Sequence, residues 1–335
     1  MKAIVYTQSG GSDVLALRDR PVPEPGPGEV RVRVRLSGVN PTDWKSRSAA
    51  RAEAEQVPNQ DGSGVVDAVG EGVDPARVGE RVWLWEAAYQ RADGTAQEYL
   101  TLPERQAVPL PEHASFELGA SLGIPAMTAH RALTLGADGP RRLAPGALAG
   151  RTVLVAGGAG AVGNAAIQLA RWAGATVLTT VSSPEKAKLA AAAGAHHVVD
   201  YRAEDAAAAV RALAPDGVDL VVEVATAANA ALDLAVLATG GTVAFYADNS
   251  GPEVALPVRE LMFRNLRWSG VLIYTIPAEA KLDAVAAIRE AVAGGALRGG
   301  EDAGLPWHRY PLARTAEAHD AVQGSIVGKV LIDVG

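Results

Sequence analysis

The run Gly157-Gly158-Ala159-Gly160-Ala161-Val162-Gly163 carries the strongest chemical signal in the chain. It follows the apolar stretch Thr152-Val153-Leu154-Val155-Ala156 and leads into an alanine-rich segment with helical spacing. Glycines let the backbone turn sharply there and let a phosphate approach the start of a helix, where unpaired N–H groups and the helix dipole favour negative charge. A glycine run alone is also compatible with an ordinary tight turn. Placed between a buried strand and a helix, with further strand–helix alternation behind it, G-x-x-G-x-x-G reads as the pyrophosphate turn of a dinucleotide site.

The end of the next strand bears on which dinucleotide. A chain that binds NAD usually places Asp or Glu about 20 residues beyond the glycines, to hold the ribose 2′-hydroxyl. Here that place holds Ser182-Ser183-Pro184, with Lys186 just beyond. No carboxylate stands at the strand end to repel a 2′-phosphate, and an ammonium is within reach to pair with one. The spacing therefore favours NADPH. The competing reading of Lys186 is a solvated helix-face lysine beside Glu185.

Composition narrows the rest. The chain has no cysteine, which excludes disulfides, thiol nucleophiles and thiolate metal sites. Lys plus Arg is 31 against 38 Asp plus Glu, a net charge of −7 that argues against a nucleic-acid or anionic-membrane partner. No long uncharged run suits a transmembrane helix, and Met1-Lys2-Ala3-Ile4-Val5-Tyr6 runs straight into strand-like sequence, so a cytoplasmic protein is expected. Adjacent His196 and His197 lie on a strand and point to opposite faces, which suits no metal site.

These residues need elements to hold them. At 335 residues, two domains of about 150 each are expected. The first part reads as β: Arg31-Val32-Arg33-Val34-Arg35-Leu36 alternates strictly, and Val65–Val69 and Arg81–Trp85 are further short strands between Gly/Pro turns. Phe116 to Leu135 has helical spacing, with Pro125 expected to kink or interrupt it. Beyond residue 150, apolar strands alternate with helices, the pattern of a parallel sheet covered on both faces. Arg267 to Tyr274 reads as an apolar edge strand, which invites pairing with its copy in a homodimer. Lys329 to Val334 reads as a final strand.

With those elements in place the chain resembles the zinc-free quinone oxidoreductase branch, which includes zeta-crystallin, of the medium-chain dehydrogenase/reductase superfamily. The likeness spans nearly the whole chain and rests on Gly38-Val39-Asn40-Pro41-Thr42-Asp43, Gly123-Ile124-Pro125 with Thr128-Ala129 and Arg131-Ala132-Leu133, the glycine turn, Tyr201, Gly240-Gly241-Thr242-Val243 and Gly328-Lys329. The resemblance implies an α/β fold in which a Rossmann doubly wound parallel sheet domain, residues 127–275, is inserted into a mainly β GroES-like catalytic domain made of residues 1–126 and 276–335. It implies pyrophosphate contacts at Gly157, Gly160, Ala161, Val162 and Gly163, and adenosine-phosphate contacts at Ser182, Lys186 and Tyr201. It sets Asn40 and Thr128 against the nicotinamide or its ribose, with Phe245, Tyr246, Ala247, Val271 and Leu272 lining that side. Zinc-dependent relatives take a ligand where Asn40 stands and another, a histidine, where Gln60 stands. Neither side chain is a usual zinc ligand, so no metal is expected.

The expected reaction follows. An acceptor that stabilises its own charge by conjugation, a quinone or an α,β-unsaturated carbonyl, needs no Lewis acid to receive a hydride. Asn40 is the candidate positioning group, Tyr246 or water the candidate proton donor, and Trp44 the candidate wall of the substrate pocket. Asp43 is expected to pin the helix after Asn40. The stretch Trp44 to Arg51 and the bulky Phe245-Tyr246 depart from the branch's pattern and leave the acceptor open. An NADPH-dependent quinone reductase leads. An enone or enoyl reductase, or a non-catalytic NADPH-binding protein, are the alternatives.

Overall fold

Strict alternation around Arg31 becomes a long strand, Glu29–Val39, in which Val30, Val32 and Val34 are fully buried and the arginines reach outward. Each such valine contributes about 1.5–3 kcal/mol of burial free energy. The computed structural model describes residues 1–49 and 54–335. In chain order its first elements are β1 (Lys2–Val5), β2 (Ala16–Asp19), β3 (Glu29–Val39), α1 (Pro41–Ala49), β4 (Asp61–Val69), β5 (Arg81–Leu84), β6 (Tyr99–Pro103), β7 (Ala107–Pro109), α2 (Phe116–Gly119) and α3 (Gly123–Leu133). There follow β8 (Thr152–Ala156), α4 (Ala161–Trp172), β9 (Thr176–Val181), α5 (Pro184–Ala192), β10 (His197–Asp200), α6 (Ala206–Leu213), β11 (Val218–Glu223), α7 (Thr226–Val236) and β12 (Leu237–Phe245). The last are α8 (Val258–Arg264), β13 (Arg267–Gly270), α9 (Ala278–Ala293), β14 (Trp307–Pro311), α10 (Thr315–Gln323) and β15 (Lys329–Asp333).

The chain divides into one unit of Met1–Ile124 with Pro306–Gly335 and a second of Pro125–Leu305. The first is mainly β. Its larger sheet runs β14-β15-β3-β4-β5-β7, with β6 also on β3. Val32, Val66, Leu84, Leu100, Val330 and Ile332 fill its core. The closing strand β15 lies antiparallel to β3, with Leu331 opposite Gly38.

The second unit holds a six-stranded sheet in the order β10-β9-β8-β11-β12-β13, every neighbour parallel. Counted within the unit this is the 3-2-1-4-5-6 order of a Rossmann fold, whose direction reverses between β8 and β11. Such a reversal opens a crevice beyond the strand ends, and the glycine turn follows β8 there. The expected fold class is thus observed: a doubly wound parallel sheet carried on a segment inserted into a mainly β, GroES-like unit.

Some local expectations are corrected. Residues 276–305 belong with the second unit rather than the first. Helix α9 buries Ala284, Ala287, Ile288, Ala291 and Val292, Gln168 Nε2 donates to the Arg298 carbonyl at 3.0 Å, and Asn164 Nδ2 to that of Ala303 at 2.7 Å. Burial of that helix face and hydrogen bonds from distant residues therefore hold a stretch whose own sequence carries no boundary signal. Of the two outcomes expected at Pro125 the helical run is interrupted rather than kinked: it breaks between α2 and α3, and Pro125 sits in the first turn of α3, where a missing N–H costs little. The edge strand β13 stops at Gly270. Val271 N still donates to the Phe245 carbonyl at 2.8 Å, after which Ile273–Thr275 forms a tight helical turn.

Candidate functional site

In the second unit the glycine turn has the geometry its composition implies. Gly157 has φ +71°, a conformation that suits glycine. A Cβ on Gly163 would stand 2.4 Å from the Gly157 carbonyl oxygen, so glycine is what lets helix α4 close on β8. Gly160 caps α4 with no side chain on its N–H groups and no acidic residue in the first turn. The amides of Ala161, Val162 and Gly163 are therefore first-turn donors without a helical carbonyl, an arrangement that suits an anion.

Ser182, Lys186 and Tyr201 are gathered at the end of β9. Ser183 caps α5, its Oγ accepting from Lys186 N at 3.3 Å. That cap fixes the first turn so that Lys186 reaches back, and its Nζ donates to Ser182 Oγ at 2.9 Å. Tyr201 follows β10, its N–H bonded to the Val181 carbonyl at 3.1 Å, and the residue is 50% exposed. An ammonium, a hydroxyl and an accessible phenol thus share one strand-end corner.

Phe245 ends β12 beside Val271, and Phe245, Tyr246 and Ala247 are half-buried while Leu272 is exposed. Thr128 is buried on α3. Tyr246 donates its backbone N–H to the Glu223 carbonyl at 3.1 Å. Burial, and then the charge of Glu223, hold its phenol above the ordinary tyrosine range, which makes it a reluctant acid. Sequence reasoning passed over Glu223 and Asp233, both fully buried. Glu223 ends β11 and accepts from Asn229 Nδ2 at 3.1 Å and from the Ala225 amide at the start of α7. Asp233 lies on that helix; burial, then the Glu223 charge, push it up to about 9. In sequence both look like ordinary surface carboxylates.

In the first unit, Asn40 and its neighbours form a buried polar cluster. Asn40 N donates to Asp43 Oδ2 at 2.7 Å, so Asp43 does pin the start of α1. Asn40 Nδ2 donates to Asp61 Oδ2 at 2.7 Å, and Lys329 Nζ donates to Asn40 Oδ1 at 2.7 Å. Lys329 Nζ stands 3.5 Å from Asp61 Oδ2, the two side chains 2% and 0% exposed. Burial drives Asp43 up to about 8 and raises Asp61, while it lowers Lys329. Two motif glycines make room: a Cβ on Gly38 would lie 2.0 Å from the Ala120 carbonyl oxygen, and one on Gly123 2.0 Å from Asp61 Oδ1. Trp44 is half-buried on α1 with its indole N–H buried and without a partner. Of the stretch Trp44 to Arg51, Ala50 and Arg51 lie outside the described residues.

Two family models match, an alcohol dehydrogenase GroES-like domain over residues 26–112 and a zinc-binding dehydrogenase over residues 161–290. Human quinone oxidoreductase is 31% identical over 339 residues, covering 99% of this chain and 97% of its own. The chain belongs to the medium-chain dehydrogenase/reductase superfamily, with the quinone oxidoreductases among its relatives. Among solved structures, an NAD-dependent alcohol dehydrogenase superposes with a TM-score of 0.86 at 31% identity over 100% of both chains. The quinone oxidoreductase of Thermus thermophilus, solved alone and with NADPH, gives 0.79 at 30% identity, also over 100% of both. The superfamily makes this chain an oxidoreductase.

A superfamily with zinc-dependent members raises the question of a metal. At the two positions set against zinc stand carboxamides: that of Asn40 is engaged at both ends by Asp61 and Lys329, and Gln60 Oε1 accepts from the Ala88 amide at 3.1 Å. A buried ammonium beside those donors repels a dication, and carboxamides are weak zinc ligands. The residues do not fit a zinc ion. Among the described residues no helix is long and apolar enough to cross a membrane.

Proposed function

We propose that this protein is an NADPH-dependent reductase that passes a hydride to a quinone without a metal. The observation that carries the reading is the corner of Ser182, Lys186 and Tyr201, where the lysine Nζ is held 2.9 Å from the serine hydroxyl and no carboxylate ends the strand. A 2′-phosphate placed there gains a charge-assisted hydrogen bond worth about 1.5–3 kcal/mol. The amides after Gly160, with Gly157 and Gly163 shaping the turn, hold the pyrophosphate. Thr128, Phe245, Tyr246, Ala247, Val271 and Leu272 receive the nicotinamide end.

Bound NADPH supplies the hydride. The chain's own part is to bind and orient. Asn40 presents an amide N–H to an acceptor oxygen as negative charge develops on it, and Trp44 walls the acceptor's pocket. The proton that completes a quinol comes from water or Tyr246; the raised pKa of that phenol favours water. The same scaffold takes an enone if the pocket prefers one. A homodimer joined along the β13 edge, working in the cytoplasm, belongs to the same proposal.

The test is NADPH oxidation by the purified protein across 1,4-quinones, enones and aldehydes, with NADH in parallel. Turnover of quinones with NADPH preferred is expected. Turnover of enones alone moves the assignment to an enone reductase, and tight NADPH binding with no turnover makes the protein a cofactor-binding module.

A further inference from the structure

A carboxamide is nearly symmetric in shape, so its orientation is set by what faces it. Around Asn40 that choice is forced. Lys329 can only donate, and a carboxylate oxygen can only accept, so Oδ1 must face the ammonium and Nδ2 the Asp61 carboxylate, each at 2.7 Å. With the backbone N–H on Asp43 at 2.7 Å as well, the residue is held at three points. One N–H of Nδ2 remains uncommitted. The fold makes this possible through Gly328: its φ of +109° and a Cβ position only 2.3 Å from the Pro306 carbonyl oxygen require glycine there. Lys329 N then pairs with that carbonyl at 2.8 Å, so β15 begins with its lysine turned into the interior.

We propose that Lys329 is a positioning residue: its buried ammonium holds Asn40 Oδ1 and so fixes the free Nδ2 N–H as the group Asn40 offers to the acceptor. It also brings one fixed positive charge among Asp43 and Asp61, at the place where zinc-dependent relatives carry a metal. The kinetic consequence rests on the reductase reading above; the orientation itself does not.

Asparagine-selective ¹⁵N labelling reads the orientation directly. Of the two carboxamide proton signals lost in Asn40→Ala, the one bonded to Asp61 is expected to exchange slowly with solvent in the wild type. In Lys329→Met/Asp61→Asn, which removes both buried charges so that neither is left unpaired, exchange should speed about tenfold or more. In Asp61→Asn alone, which keeps the ammonium, it should stay slower than in the double variant. In the same double variant kcat should fall about tenfold to a hundredfold, the cost of a misplaced group, with KM for NADPH within about twofold. Fast exchange of that bonded Asn40 proton in the wild type overturns the proposal without any variant. So does a double variant with wild-type exchange or wild-type kcat. A wild type that oxidises no NADPH counts against the reductase reading alone, because the exchange measurement still judges Lys329.

Discussion

Lys186 shows how much one ammonium can decide. Its Nζ reaches Ser182 because Ser183 caps the helix between them, so its charge is presented at the strand end rather than left to wander in solvent. Lys186→Ala should weaken NADPH about tenfold, the equivalent of about 1.4 kcal/mol, and leave NADH nearly unchanged, as read by fluorescence titration. Equal losses for both cofactors would show that the lysine acts through the fold. Asp233 makes a different kind of claim. Its carboxyl moves from an ordinary 3.8 to about 9 on folding, because burial and Glu223 disfavour the charged form. The folded state therefore binds a proton that the unfolded chain has released. The stability this confers is complete below about pH 4 and is lost as pH rises through about 9. Asp233→Asn keeps the shape and stays neutral, so its melting temperature should gain on the wild type between about pH 6 and pH 9. A constant offset across that range would refute the assignment.

At the scale of an element, the turn into α4 separates two uses of glycine. Gly163 is there for packing: the Cβ it lacks would stand 2.4 Å from a backbone oxygen of the preceding turn, and backbone cannot swing aside as a side chain can. Gly163→Ala should cost about 1–3 kcal/mol in urea unfolding without any cofactor present. Gly160 has ordinary extended dihedrals, φ −80° and ψ 162°, and its nearest neighbour would be 3.5 Å from an added Cβ. Gly160→Ala should therefore change stability by less than about 1 kcal/mol while weakening NADPH, since the methyl stands where a phosphate approaches the helix. If both variants lose only stability, the turn is not a phosphate site.

At the scale of the whole molecule, the second unit ends its sheet on β13 with one side unpaired among the described residues. Just before that strand, α8 exposes Val258, Met262 and Phe263 at 68%, 72% and 70%. An apolar helix face and an open strand edge are costly to leave in water, and a second copy related by a two-fold axis would cover both at once. Sedimentation of the wild type should give a dimer at micromolar concentration, and Phe263→Glu should shift it toward monomer. A monomeric wild type would rule out the edge-paired dimer.

What sequence determined by itself was local chemistry with a short reach. The glycine turn, the pin at Asp43, the alternation in β3 and the apolar strands of the parallel sheet all depend on neighbours within a few residues, so their spacing shows them directly. The missing carboxylate after Ser182 was legible for the same reason. Tertiary structure alone decided what depends on distant partners. Asn40 follows β3, Asp61 and Lys329 open β4 and β15, and nothing in their spacing announces that one ammonium will be buried against them. Glu223 and Asp233 read as solvated carboxylates until α7 folds back on β11. The stretch from Ala278 to Leu305 belongs with the nucleotide unit, its helix half-buried and its tail tied by Asn164 and Gln168 of α4. Burial is a property of the assembled core, and it converts these ordinary charged residues into groups with shifted pKa values and fixed orientations.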